Sequence, residues 1–258
     1  MEDRVSSKKN SGTYPILEMR GICKYFGGVH ALENVDFELY PQEIVALVGD
    51  NGAGKSTLIK IISGVYTADR GEIYLEGKRI EIQSPSDARA LGIETVYQEL
   101  ALVETRDVAA NFFLGREPTK GRSGIFIDKK KVEEVTVRTL KKLSITLPSL
   151  RTAVRYLSGG QRQALAVGRA IAWGRKIIIM DEPTAALGVE ESRKVLGLVR
   201  QLKEHGASVI VISHNLRHVF SVAERIIVLR GGKRIGSKLK SETSGDEIVK
   251  LITGAELI

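Results

Sequence analysis

Residues 44–48 are apolar without interruption, and a glycine-rich break separates them from a second apolar set at 58–62. A strand covered on both faces, a tight turn and a helix are the expected elements. Upstream, 16–22 reads as a strand. Val35, Phe37 and Leu39 alternate with Asn34, Asp36 and Glu38 in the period of a half-buried strand, so the two predict an antiparallel edge. A hairpin is expected at 72–81, turned by Gly77-Lys78, then a short helix capped by Ser84-Pro85 and stopped at Gly92, then a strand at 93–97.

Strand signals vanish between 99 and 156. Helical periodicity takes over at 108–114 and 132–143, with turns at Gly121, Gly124 and Pro148, which predicts an inserted helical subdomain. Strands are expected again at 176–180, 208–213 and 225–229, with helices at 161–173 and at 190–205, the latter stopped by Gly206. Gly231-Gly232 closes a hairpin and 246–252 forms a last helix. Strands alternating with helices predict a parallel α/β core. The expected division is a flexible tail at 1–14, a core made of 15–98 and 157–258, and the helical subdomain at 99–156.

Composition changes this picture little. The chain has 258 residues, 43% hydrophobic and 27% charged, an ordinary globular balance. Residues 1–14 carry no apolar targeting core, and no segment approaches the ~20 apolar residues of a spanning helix. A single cysteine, Cys23, excludes an internal disulfide and a cysteine metal cluster, and reads as small apolar filler. The net charge is +8, and residues 116–142 hold nine Lys/Arg against four Asp/Glu. Such a stretch suits an anionic partner. It equally fits a solvated helix, because Asp128 before Lys129-Lys130-Lys131 reads as an N-cap and an exposed first turn.

The break after residue 48 carries the first chemistry. Gly49-Asp50-Asn51-Gly52-Ala53-Gly54-Lys55-Ser56-Thr57 fits G-x-x-x-x-G-K-[ST] between a strand and a helix. Its glycines turn backbone N–H groups onto a phosphate chain, and the helix start adds its positive end. Lys55 then meets the β- and γ-phosphates, Ser56 offers its hydroxyl to Mg²⁺, and Thr57 supports the first turn.

Three more places fall in with it. The strand through Ile177-Ile178-Ile179-Met180 ends in Asp181-Glu182, at the carboxyl edge where α/β sheets bind ligands. Asp181 would hold Mg²⁺ through its water shell, and Glu182 would orient and polarise an attacking water. Gln98 and His214 each follow an expected strand and should emerge on that edge, Gln98 toward Mg²⁺ and water, His214 toward a γ-phosphate. Finally, Leu157-Ser158-Gly159-Gly160-Gln161 opens a helix with a serine cap and two glycines, a second anion site or simply a capped helix. Both cradles serve one nucleotide only if two copies face each other head to tail.

With these residues in order, the chain resembles the nucleotide-binding subunit of an ATP-binding cassette (ABC) transporter from Ile16 to Gly254. The matching pieces are Walker A (49–57), the Q-loop at Gln98, the LSGGQ signature (157–161), Walker B with Asp181 and Glu182, and the switch His214. The resemblance implies a P-loop NTPase (RecA-like) α/β core with an antiparallel β-subdomain and an inserted ABC α-helical subdomain. It also implies an adenine-stacking aromatic at Phe26, with Tyr25 as fallback. One departure stands out: after Asp181-Glu182-Pro183-Thr184 the family pattern ends Ala-Leu-Asp, whereas here Ala186-Leu187-Gly188 lacks the carboxylate that crosses the dimer interface.

Finer likeness lies with monosaccharide importers of ribose, xylose or fructose type, through Gly49-Asp50-Asn51, Tyr97-Gln98-Glu99-Leu100, Phe113-Leu114-Gly115-Arg116-Glu117 and Ala185-Ala186-Leu187-Gly188-Val189. Many of those carry two fused cassettes and this chain one, and it lacks the long carboxy-terminal regulatory domain of some disaccharide-importer ATPases. The implied protein is an ATPase energising uptake of a small solute. It would bind ATP and Mg²⁺, pair with itself in the ATP state, dock on membrane permease subunits at the cytoplasmic face, and serve a solute-binding protein indirectly, with no nucleic acid expected. The competing class is a soluble ABC-type mechanical ATPase acting on nucleic acid or ribosomes, which the basic insert would suit. Use of the P-loop by a small-molecule kinase is a third reading, one that leaves LSGGQ and His214 idle.

Overall fold

The computed structural model describes residues 14–121, 126–174, 176–185 and 187–255; the turn expected at Gly124 and nearly all of the expected tail lie outside them. Two sheets face each other. The smaller is antiparallel, in the order β2-β1-β4-β5, with β1 Leu17–Phe26, β2 Val29–Leu39, β4 Arg70–Leu75 and β5 Lys78–Ile80. The strands expected at 16–22 and 34–39 thus run on to meet in a tight turn at Gly27-Gly28. The β4–β5 turn is Glu76-Gly77 rather than Gly77-Lys78. Both residues have positive φ (52° and 76°), the type I′ geometry that matches strand twist.

The larger sheet runs β12-β11-β3-β10-β9-β6. Its strands are β3 Ile44–Val48, β6 Ile93–Val96, β9 Ile177–Asp181, β10 Ser208–Ile212, β11 Arg225–Arg230 and β12 Lys233–Leu239. All neighbours are parallel except β11 and β12. Alternation divides the central strands between two apolar layers. Val45, Leu47, Ile177, Ile179, Ile210 and Ile212 turn toward the antiparallel sheet and helix α1 Lys55–Ile62. Ile178, Met180, Val209 and Val211 turn toward α5 Gly159–Trp173 and α6 Val189–Glu204, while Ala46, Val48, Ile226 and Val228 meet α7 Leu216–Val222 and α8 Gly245–Thr253. This two-sided burial is why β3, β9 and β10 read as unbroken apolar runs.

The remaining helices are α2 Pro85–Ala90, α3 Val108–Phe112 and α4 Lys129–Lys142. Ser84 caps α2 and Asp128 caps α4, as expected from the sequence. Phe112, Phe113, Val132, Leu140, Val154, Leu157 and Leu165 form a separate apolar cluster shared by α3, α4 and α5. Two further points differ from the sequence reading. The 99–156 stretch contains strands after all: β7 Thr119–Lys120 and β8 Phe126–Ile127 pair antiparallel. The short α7, capped by Asn215, was not expected. Cys23 is buried as filler, but its Sγ also accepts the Asn34 N–H at 3.3 Å.

One ion network locks the two sheets together. Arg225 at the start of β11 donates to both carboxylate oxygens of Glu43 at 2.7 and 2.8 Å, to the Glu38 carbonyl at 2.8 Å and to Ser237 Oγ at 3.2 Å. The guanidinium also lies 5.3 Å from the Tyr40 ring centre.

Candidate functional site

Strand register assembles the site. Ile212 of β10 pairs with Leu47 of β3 on one side and with Asp181 of β9 on the other, and Val96 of β6 pairs with Met180. Gly49, Glu182, His214 and Gln98, each one or two residues past those pairs, therefore leave the sheet at one edge. Parallel pairing makes these strands end together, where ligands of such sheets bind.

Gly49 and Gly54 shape the loop that leaves β3. A Cβ on Gly49 would sit 2.2 Å from the Leu229 carbonyl oxygen, and one on Gly54, at φ 101°, 2.7 Å from that of Ala31. Only glycine lets the loop lie this close to the ends of β11 and β2. Gly52 and Asn51 stand exposed at its crest, and α1 starts with Ser56 exposed and Thr57 half-buried. Lys55 folds back on the loop, its Nζ donating to the carbonyls of Gly49 and Asp50 at 2.8 and 2.9 Å. Burial pulls its pKa down, and the carboxylates of Glu182, Asp50 and Asp181 oppose that. The result is a cation held between loop carbonyls and carboxylates, ready to exchange carbonyl partners for stronger phosphate oxygens. Gly49→Ala should weaken nucleotide binding by about tenfold or more, roughly 1.4 kcal/mol, as read by calorimetric titration with ATP.

The carboxylates differ in their surroundings. Burial and then Glu182 push Asp181 up, with Lys55 and Lys60 opposing. Glu182 sits in the left-handed region at φ 49°, which an L residue enters only when held there. It is held: its N–H donates to the Ile212 carbonyl at 2.9 Å. Its side chain accepts the His214 N–H on Oε1 at 3.1 Å and meets His214 Nδ1 on Oε2 at 3.0 Å. His214 itself stays 76% exposed, so the ring can leave the carboxylate for a ligand. Ser56, Asp181 and Gln98 carry hydroxyl, carboxylate and amide oxygens, hard donors of the kind Mg²⁺ takes. Gln98, just past the end of β6, is exposed.

Phe26 ends β1 at 42% exposure, edge-on to Tyr66 at 5.2 Å, with Lys24 Nζ 5.5 Å from its ring centre. Tyr25 is less free: it packs edge-on to His30 at 4.7 Å, and its N–H donates to Asp69 Oδ2 at 2.6 Å. Of the two rings, Phe26 is the more exposed.

The signature lies elsewhere in the chain. Ser158 Oγ accepts the Gln161 N–H at 3.2 Å while Gln161 Oε1 accepts the Ser158 N–H at 3.0 Å, a reciprocal capping box on α5. Within one chain the serine thus acts as the helix cap. Gly159 admits Leu187, just before α6, and Gly160 admits Glu191 in the first turn of α6; a Cβ would meet each at 3.2 Å. Beside this cap runs a cavity of about 450 Å³ lined by Ser158, Gly160 and Gln161 together with residues of α6 and of 143–146. Among its described lining residues none belongs to the P-loop.

Residues 32–185 match the description ABC transporter. The chain belongs to the ABC transporter family. A xylose/arabinose import ATP-binding protein from Sulfolobus acidocaldarius is 51% identical over 242 residues, covering 94% of this chain and 95% of the relative. A fructose import ATP-binding protein from Rhizobium meliloti is 49% identical over 247 residues, with the same shares covered. A ribose import ATP-binding protein from Rubrobacter xylanophilus is 45% identical, but the match spans only 48% of it. Among solved structures, a nucleotide-free ATP-binding cassette from an ABC transporter superposes with a TM-score of 0.80 at 28% identity, covering 94% of this chain and 96% of the other. A dimeric cassette in a post-hydrolysis state with ADP and Pi superposes at 0.72 with 25% identity, covering 87% and 98%. This ABC cassette is a nucleotide-binding ATPase, and its α/β architecture is that of the family.

Sequence reasoning passed over three side chains near these motifs. Arg169 of α5 donates to the carbonyls of Leu100 and Ala101 at 2.9 and 3.0 Å, tying the segment after Gln98 to the signature helix. Burial holds its pKa down. Thr184 and His218 are bonded to each other at 2.8 Å. A lone arginine in a helix or a histidine four residues past His214 gives no local signal; only the pairing across the fold picks them out.

Proposed function

We infer that this chain is the ATP-hydrolysing subunit of an ABC importer that energises uptake of a monosaccharide through a separate membrane permease. The observation that carries the inference is the shared edge of β3, β6, β9 and β10, which gathers a phosphate loop, paired carboxylates, a glutamine and a histidine. The sugar-import relatives at 51% and 49% identity give the substrate class.

Gly49, Asn51, Gly52 and Gly54 present the loop's backbone to the phosphates, with Lys55 on the β- and γ-oxygens, Thr57 behind and Phe26 against adenine. Ser56, Asp181 and Gln98 would hold Mg²⁺, which supplies charge compensation for the phosphates when bound. Glu182 orients and deprotonates the attacking water, and His214, released from Glu182, donates to the γ-phosphate. Ser158, Gly159, Gly160 and Gln161 complete the site on a second copy, so the working unit is a head-to-tail dimer. Gly188, in place of the family's aspartate, caps α6 through its N–H to Glu191 Oε2 at 3.3 Å. With no carboxylate to reach across, the two sites communicate weakly through this loop.

The segment 99–156 moves with α5 when the dimer closes, carrying the permease with it. The docking surface is the cleft of about 260 Å³ between Glu94, Tyr97, Leu100, Leu114, Arg169 and Trp173, with Arg116 paired to Glu94 on its wall. The chain would sit on the cytoplasmic face of the cell membrane, and a solute-binding protein would reach it through the permease. Among the described residues no helix is long and apolar enough to cross a membrane.

The test is uptake of radiolabelled xylose, ribose and fructose by cells whose chromosomal copy encodes Lys55→Ala. Loss of uptake of one of these sugars, at least about tenfold, with normal protein level is the expected result. Unchanged uptake of all three, together with a salt-dependent shift of RNA or DNA by the purified chain, would move the assignment to a mechanical ATPase.

A further inference from the structure

Thr184 follows the catalytic-edge carboxylates by two residues and is only 7% exposed. Its Oγ1 lies 2.8 Å from Nδ1 of His218. His218 stands on α7, one turn beyond His214, and its own N–H donates to the Asn215 cap at 3.3 Å. Two histidines from one short segment therefore grip one turn: His214 holds the Glu182 carboxylate, and His218 holds the hydroxyl two residues on.

That turn needs holding. Glu182 has left-handed backbone, a conformation that costs about 1–3 kcal/mol unless its surroundings enforce it. The turn's own closures are a 3.1 Å bond from Ala185 N–H to the Glu182 carbonyl and a 3.4 Å bond from Leu187 N–H to the Thr184 carbonyl. The second is long, so side-chain anchoring matters there. A buried hydroxyl without a partner would also carry a desolvation penalty, which makes the His218 contact directional rather than incidental.

We propose that His218 and Thr184 form a positioning pair that ties the switch helix α7 to the Glu182 turn and holds the carboxylate in register for hydrolysis. Either tautomer of His218 satisfies the bond, since a threonine hydroxyl both donates and accepts. When His214 swings toward nucleotide, the pair keeps α7 attached to the turn, so that Glu182 does not follow the ring away from the water it must polarise. The proposal rests on the reading of Glu182 as the water-activating group.

The experiment compares Thr184→Val, Thr184→Ser, His218→Ala and the double variant Thr184→Val/His218→Ala in steady-state hydrolysis of ATP, with melting temperature measured alongside. Thr184→Val and His218→Ala should each lower kcat by about tenfold with KM for ATP within about twofold. The double variant should fall no further than either single, and Thr184→Ser should keep kcat within about twofold of wild type. Equal kcat in all four variants, or single effects that multiply in the double, would overturn the pair; so would a loss confined to melting temperature. Glu182→Gln serves as the separate control: if it still hydrolyses ATP, the reading of Glu182 fails whatever the pair does.

Discussion

Glu182→Gln should reduce ATP hydrolysis by about 100-fold or more while leaving ATP binding intact, the usual scale of a lost general base. Gln keeps the size of the side chain and can still accept the His214 N–H on its amide oxygen, so the fold of the edge should survive. What disappears is the charge that, on the proposed reading, polarises water. The variant should then accumulate in the proposed ATP-bound dimer, which wild type would hold only briefly. Light scattering with ATP and Mg²⁺, alongside phosphate release, reads both at once. A variant that stays monomeric and hydrolyses normally would show that Glu182 is not the base and that the chain does not pair with itself.

The second large effect is on stability. Arg225 is 8% exposed and satisfies Glu43 with two bonds while also reaching Glu38 and Ser237. Arg225→Ala would leave the Glu43 carboxylate with the Tyr40 N–H, at 2.8 Å, but no cation, and free a carbonyl, a loss of about 3–5 kcal/mol for a broken buried pair. In a chain of this size that corresponds to a melting temperature lower by roughly 10 °C. Replacing both partners by apolar residues, Arg225→Met with Glu43→Leu, should recover much of it, because no uncompensated charge is left. If Arg225→Ala melts within about 2 °C of wild type, the network does not clamp the sheets.

How far these features could be read beforehand depended on their range in the sequence. β3, β9 and β10 were legible because burial on both faces leaves an unbroken apolar run, and the phosphate loop because its glycines and lysine are consecutive. The α5 start was legible too, since a capping box is a four-residue pattern. β7 and β8 are two residues each, too short for any period, and α7 buries only Val219 and Val222 along its seven residues. Register is a property of pairs of strands, so the meeting of Glu182 with His214 followed from each lying at a strand end. The left-handed backbone of Glu182 and its Thr184–His218 neighbour did not. Those arise where segments distant in sequence press on one turn, and neither segment carries the mark alone.

Ser158 caps its own helix and lines a cavity to which the P-loop contributes no described residue. On the proposed head-to-tail pairing, each copy would be half of two engines rather than the whole of one. At low concentration the specific rate of hydrolysis should therefore climb with the amount of protein present, since a lone copy would lack the half it must borrow.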